Sequence, residues 1–285
     1  MGISSSAVLV ELNVSAWGAS KLDRNVTDAV NANNNASADA SKVYKNLVAG
    51  TSLVSDLSKY AARIRLYHNT ATLPWASKGA RLLPTSMMLE YKTQINTMRT
   101  TYEGMCNKFY AEYANVVQQA QNNLKGMYKY SDYPSLDDVM TKYSVHVVFS
   151  PLPEAGDFRL DVANEDLREL AESYESDFNS RLAKAVREPW DRLYEELTGL
   201  SEKLTEREGD DEKKKRYHDS LIDNPQNLCA LLTKLNVTND PKLEEARRSL
   251  ERALIGVDID DIKEYEQVRS DVKTKVDAIL EKFDW

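Results

Sequence analysis

From Met88 to Met127 apolar side chains return every three or four residues: Met88, Tyr91, Ile95, Met98, Tyr102, Met105, Phe109, Tyr113, Val116, Ala120, Leu124 and Met127. That spacing keeps one face of an α-helix apolar, and about 40 such residues extend roughly 60 Å. A stripe this long must be covered, which commits much of the remaining chain to helix packing. Met and Tyr tolerate irregular neighbours, so the stripe predicts a helix packed against several partners rather than a strict zipper. A second stripe runs Leu167, Leu170, Tyr174, Phe178, Leu182, Val186, Trp190, Leu193, Leu197, Leu200 and Leu204, with Asn164 as its cap. Pro189 lacks an N–H and crowds the preceding turn, so it predicts a kink or a new start at Trp190.

Between the two stripes lies the clearest β signal, Tyr143 to Val162. Val145, Val147 and Phe149 alternate with His146 and Val148. Pro151 and Pro153 end that strand, Gly156-Asp157 offers a turn, and Phe158, Leu160 and Val162 alternate with Arg159 and Asp161. A lone two-stranded hairpin is marginal in water. Its apolar face must therefore rest on a helix, on another strand such as residues 7–14, or on a partner. The expected fold is mainly α. Two long arms form an antiparallel helical hairpin over residues 85–205, with a small β-hairpin at its tip (143–162). A helical region with a short strand precedes it (1–84), and a cluster of shorter helices follows (206–285). Val145, Val147, Phe149, Phe158 and Leu160 are the candidate contacts with a partner or a second copy.

Toward the N-terminus, Ala7 to Val14 is β-branched enough for a short strand. Ser15 suits the N-cap of a helix carrying Trp17, Leu22, Val26 and Val30. Asn31 to Ser41 is rich in side chains that bond their own backbone and predicts a mobile loop. A helix over 41–67 is expected to follow, with an interruption at Gly50. Pro74, Gly79 and Pro84 break the helical pattern, and Trp75 between them reads first as a packing plug. Ser135 with Asp138 signals a short capped helix. In the last third, Glu206 to Arg216 reads as a charged link, Pro225 as an interruption of a helix over 217–235, and Asp240-Pro241 as a helix start. Gly256 stops that helix, and Asp258 caps a final one through Leu280.

Charge divides the chain more than its total of −8 suggests. Residues 1–130 hold 14 Lys+Arg against 8 Asp+Glu (+6), and the remainder 23 against 37 (−14). A chain so divided can meet an anionic partner with its first half, or a second copy head to tail. Arg63, Arg65, Tyr67, His68, Trp75, Lys78 and Arg81 interleave cations with rings, a composition suited to the backbone and bases of a nucleic acid. No apolar run approaches the roughly 20 residues of a membrane-spanning helix. Cys106 and Cys229 match no zinc or redox spacing. The three histidines lack ligand partners at metal-binding spacing, and none of the common phosphate-loop or hydrolase motifs occurs. The sequence therefore points to a non-enzymatic protein without metal or cofactor.

Three stretches, VELNVSAWGASKLDRNVT, TLPWASKGARLLPTS and VVFSPLPEAGDFRLDV, resemble an uncharacterised family of tailed-bacteriophage proteins. The resemblance implies a phage protein in the host bacterial cytoplasm, with a phage or host protein as partner, an AAA+ ATPase among the candidates. It carries no activity or catalytic residue to this chain. The expected function is self-assembly or protein binding through the arms and the β tip; the alternative is nucleic-acid binding in phage replication or recombination.

Overall fold

Among the described residues, strands and helices are interspersed up to Pro151 and only helices follow. The computed structural model describes residues 5–76, 78–153, 165–205 and 216–285. In chain order come β1 (Ala7–Ser15), β2 (Ser20–Leu22), α1 (Arg24–Asn33), β3 (Tyr44–Asn46), α2 (Leu53–Ala71), β4 (Leu73–Pro74), β5 (Arg81–Pro84) and α3 (Met88–Leu124). There follow α4 (Leu136–Met140), β6 (Ser144–Pro151), α5 (Glu165–Leu204), α6 (Ser220–Leu235), α7 (Pro241–Ala253), α8 (Ile259–Glu264) and α9 (Glu266–Lys282). The protein is thus mostly helical, and its described residues form a small four-stranded sheet in the order β4-β5-β1-β6 and a two-stranded β2-β3 ladder. The chain divides into two compact units. The first holds residues 1–11, 70–89 and 149–285, and the second holds 12–69 and 90–148.

The second unit is built on α3. Its stripe is buried as its spacing predicts, at Tyr91, Ile95, Met98, Tyr102, Phe109, Tyr113, Val116 and Ala120, with Cys106 joining it. Rings pack along it: Tyr60 of α2 stacks on Tyr102, Tyr67 stacks on Tyr91, and Trp17 meets Phe109 and Tyr113. Ser135 caps α4 by accepting from the Asp138 N–H at 3.1 Å, as the sequence signalled.

The beginning of this unit corrects the sequence expectation. Ser15 ends a strand rather than capping a helix. The helix starts at Arg24, and Asp23 is its cap, accepting from the Val26 N–H at 3.2 Å. Its buried face is polar, Thr27 and Asn31. The Asn- and Ser-rich loop is pinned to that face: Asn31 Nδ2 donates to Ala38 O, Ser41 Oγ donates to Asn31 Oδ1, and the Val43 N–H donates to Thr27 Oγ1. Helical periodicity could not reveal a face that buries hydrogen bonds instead of hydrocarbon. The helix expected from residue 41 begins at Leu53, because residues 44–46 pair antiparallel with residues 20–22.

In the first unit, β5 pairs antiparallel with both β1 (Ala7↔Pro84 to Val10↔Arg81) and β4 (Leu73↔Leu82). The main core lies among α5, α6, α7, α8 and α9, where Leu193, Leu197, Leu200, Leu232, Leu250, Ile262 and Val276 are almost wholly buried. Helix α5 packs against α9, α6, α7 and β4. That packing gathers the helices of the C-terminal third around the end of α5. Pro189 and Pro225 lie inside helices, so no new helix starts at Trp190 and the interruption expected at Pro225 does not occur. Each is buried between residues four positions away on the same face, Ala185 and Leu193 or Leu221 and Cys229. Packing on both sides outweighs the roughly 3 kcal/mol that a mid-helix proline costs. Asp240 caps α7 with Pro241 in its first turn, as expected. The final helix is two, broken at Tyr265.

Candidate functional site

In the first unit, the turn between β4 and β5 forms one wall of a groove. Leu73 and Leu82 are wholly buried and pair across the ladder, which fixes the strand ends. The Ala76 N–H closes the turn on Ala80 O at 3.1 Å, and Gly79 takes the left-handed conformation it needs, φ +88°. A Cβ at Gly79 would stand 3.2 Å from Glu11 Oε1, so a side chain there would crowd the β1 carboxylate. Trp75 is 7% exposed and meets Phe178 of α5 edge-on, ring centres 5.3 Å apart. The plug reading of Trp75 thus holds, yet its ring also lines a groove of about 360 Å³ together with Leu9 and Phe178.

Charges flank that apolar floor. Glu11 and Lys78 stand on the sheet side, and Asp177 with Arg181 stands on α5, where the two pair at 2.6 Å one helical turn apart. Among the described residues, Glu11, Lys78 and the Trp75 indole N–H have no hydrogen-bond or ion-pair partner. The wall is held from below by two arginines. Arg192 of α5 donates to Thr70 O at 2.7 Å and Thr72 O at 3.0 Å. Arg81 donates to Thr72 Oγ1 at 2.7 Å and to Thr72 O at 3.1 Å. Burial, reinforced by the neighbouring Arg192 charge, lowers the Arg81 pKa from its ordinary value. An aromatic floor, a spare donor and charges of both signs equip the groove to hold a ligand. None of its described lining is a serine, threonine, cysteine or histidine, and among the described residues no cluster of three His, Cys, Asp or Glu could hold a metal.

The predicted contact residues of the β tip are placed only in part. Val145 and Val147 are half-buried on the inward side of β6, and Phe149 is 36% exposed. Phe158 and Leu160, with the expected second strand, lie outside the described residues. The described part of the tip is a strand of the β4-β5-β1-β6 sheet, beside β1.

The basic-aromatic set is divided. Arg63, Arg65, Tyr67 and His68 belong to the second unit, and Trp75, Lys78 and Arg81 to the first. Its rings are used inside. His68 is 5% exposed with Nδ1 2.7 Å from the Tyr91 hydroxyl, and Tyr67 stacks on Tyr91, its phenol pushed up to about 12 by burial and then by Glu90. Arg65 donates to Val14 O at 2.7 Å, and Arg63 lies over the Tyr60 ring. Only Trp75 and Lys78 of the set share the groove. Glu11, Phe178 and Arg181 escaped the sequence reading. Phe178 stood in a helical stripe, and no local pattern joins a strand carboxylate to residues about 170 positions later.

The second unit holds a buried charge cluster that no sequence spacing announces. Lys45 Nζ lies 2.6 Å from Asp132 Oδ2 and 3.5 Å from Asp23 Oδ2, and donates to Met127 O at 2.8 Å. Its side chain is 3% exposed, and those of Asp23 and Asp132 are 6% and 8%. Burial opposes the Asp132 charge, but hydrogen bonds from Lys21 and Lys45 outweigh it and hold the carboxyl below its usual range. Every partner in the cluster is a structural one: a helix cap, a strand, and the turn after α3. It reads as a clasp.

The described parts of three stretches, residues 10–27, 72–86 and 147–153, converge. They supply β4, β5, most of β1 and most of β6, which are the four strands of one sheet. They also supply Glu11, Trp75, Lys78 and Pro153 to the groove. Fold and site define a mostly helical protein with a small sheet and a ligand-sized groove. No family model, no curated protein and no solved structure matches the chain.

Proposed function

We infer that the protein is a non-enzymatic binding protein of a tailed bacteriophage, working in the host cytoplasm, and that the Trp75 groove takes a segment of another protein chain. The carrying observation is the groove itself: an aromatic floor bordered by charges of both signs, in a volume of about 360 Å³, within the range of pockets that bury a ligand. Protein interfaces favour such aromatic anchors within a polar rim. Nucleic-acid binding has less behind it, because His68 and Tyr67 pack inside the second unit and the groove's cations are matched by Glu11 and Asp177. The test is a photo-crosslinking side chain at Ala80 in infected cells. A discrete protein adduct that disappears when Arg181→Glu is added supports the reading. Adducts to nucleic acid alone, or none, refute it. Light scattering of the purified chain then shows whether the partner is a second copy.

A further inference from the structure

A second surface, made of none of the groove's described lining residues, lies where the end of α9 meets α5. Phe283 leaves the helix in an extended conformation, φ −111° and ψ 147°, which sends successive side chains to opposite sides. Phe283 and Trp285 pack on α5 and are half-buried, and Asp284 between them is exposed. Trp285 meets Trp190 edge-on with ring centres 5.6 Å apart and lies 5.4 Å from the Tyr194 ring. Phe283 lies 6.0 Å from Trp190. We propose that Trp190 and Tyr194 form an aromatic docking site on α5, that residues 283–285 cover it as a latch, and that with the latch lifted it takes an extended aromatic-x-aromatic segment of a partner protein.

The seated segment itself displays the ligand chemistry: two rings one residue apart enter, and the side chain between them stays in solvent. The site is also held in shape by elements other than the latch. Trp190 packs against the main core, and its indole donates to Asp240 Oδ2 at 3.1 Å. The other oxygen of that carboxylate caps α7, accepting from the Lys242 N–H at 2.9 Å. A ring fixed in this way costs an incoming ligand little ordering. The latch, by contrast, is anchored by side chains. At its root Lys282 pairs with Glu245 at 2.6 Å, both half-exposed, a pair that solvent weakens. Beyond that come the two rings and one indole bond, Trp285 Nε1 donating to Leu280 O at 2.8 Å. Lifting residues 283–285 therefore breaks no helix, and it belongs to the low-energy class of local openings. Tyr194 is 43% exposed beneath the latch, so one edge of the site already meets solvent. While seated, the latch competes with a partner at an effective concentration of about 1 mM or more.

The full-length protein, with and without the paired changes Phe283→Ala and Trp285→Ala, is titrated with the capped peptide Glu-Lys-Phe-Asp-Trp. Binding is read from the Trp190 indole N–H resonance, assigned with Trp190→Phe. The latch-free protein should bind about tenfold more tightly than the wild type, because it has lost the competing rings. Ser in place of the peptide's Asp should leave the affinity unchanged. A residue inserted between the two rings should weaken binding, and Tyr194→Ala in the latch-free protein should weaken it about fivefold. Equal affinity for latched and latch-free proteins, indifference to ring spacing or to Tyr194→Ala, or no binding to a latch-free protein that circular dichroism shows to be folded overturns the proposal. The wild type supplies a test that needs no variant to fold. Its Trp285 indole N–H should exchange with solvent long before the Val276 and Ile279 amides, and exchange as slow as theirs would show that the latch does not lift.

Discussion

The Tyr102 hydroxyl donates to the Ser15 carbonyl at 2.8 Å, tying the middle of the long helix to the end of the first strand. The β5 ladder reaches only residues 7–10 of β1. At the far end, side chains satisfy the backbone: Tyr102 takes Ser15 O and Arg65 takes Val14 O. Burial pushes the Tyr102 phenol well above its usual pKa, so it remains a donor across the physiological range. Tyr102→Phe should lower stability by about 1 kcal/mol, and Arg65→Ala by roughly 1.5–3 kcal/mol because its donor is charged. Urea unfolding followed by circular dichroism measures both, and no change in midpoint for either would show that the strand end does not depend on them.

Lys45 should be costly to remove from the second unit. Lys45→Met leaves Asp23 and Asp132 buried without their shared cation, a defect expected to cost roughly 3–5 kcal/mol. Adding Asp132→Asn should recover part of that loss, since one stranded charge is gone. A double-mutant cycle in urea checks the coupling.

The C-terminal cluster should weaken in acid. Hydrogen bonds from Arg247, opposed by burial and joined by Arg248, hold the Glu244 carboxyl down at about 2. A depressed carboxylate contributes stability that is complete above its ordinary value near 4.5 and is lost as pH falls toward 2. Unfolding midpoints measured between pH 6 and pH 3 should fall, and Glu244→Gln should flatten that slope.

Both thiols should be inert in the folded protein. Cys106 and Cys229 are free and buried, and burial raises both thiols, Cys229 to about 11. At pH 8 iodoacetamide should label neither until urea is added, because the thiolate is the reacting species. Mass spectrometry counts the adducts.

Gly50 has φ +100°, and a Cβ there would run into the Asn123 side chain, which donates to Ala49 O at 2.8 Å. Gly50→Ala should therefore destabilise by about 1–3 kcal/mol through backbone strain and the displaced amide, read as a lower melting temperature.

The parts of this fold that were legible in the sequence are those whose cause is local. The α3 stripe from Tyr91 to Ala120, the Ser135 and Asp240 caps and the β4–Trp75–β5 break all follow from spacing or from a residue's own backbone preferences. The failures have an equally plain cause. Residues 20–22 and 44–46 are strands because they pair with each other, and three-residue strands leave no periodic trace. The α1 face was misread because it buries Thr27 and Asn31 under a hydrogen-bonded loop. Pro225 was read as an interruption, and a new start at Trp190 was allowed after Pro189, because a proline's cost is local and its compensation is not.

By itself the sequence determined that two long apolar stripes would be helical and that one segment between them would be a strand, because helical periodicity, alternation and capping act within a few residues. The tertiary structure decided what those elements would hold. It set residues 144–151 beside residues 7–15 in one sheet, enclosed Lys45 between Asp23 and Asp132, and brought Glu11, Trp75 and Phe178 around one groove. These contacts join residues roughly 20 to 170 positions apart, and their free energy comes from burial and charge pairing that exist only once the chain has closed on itself.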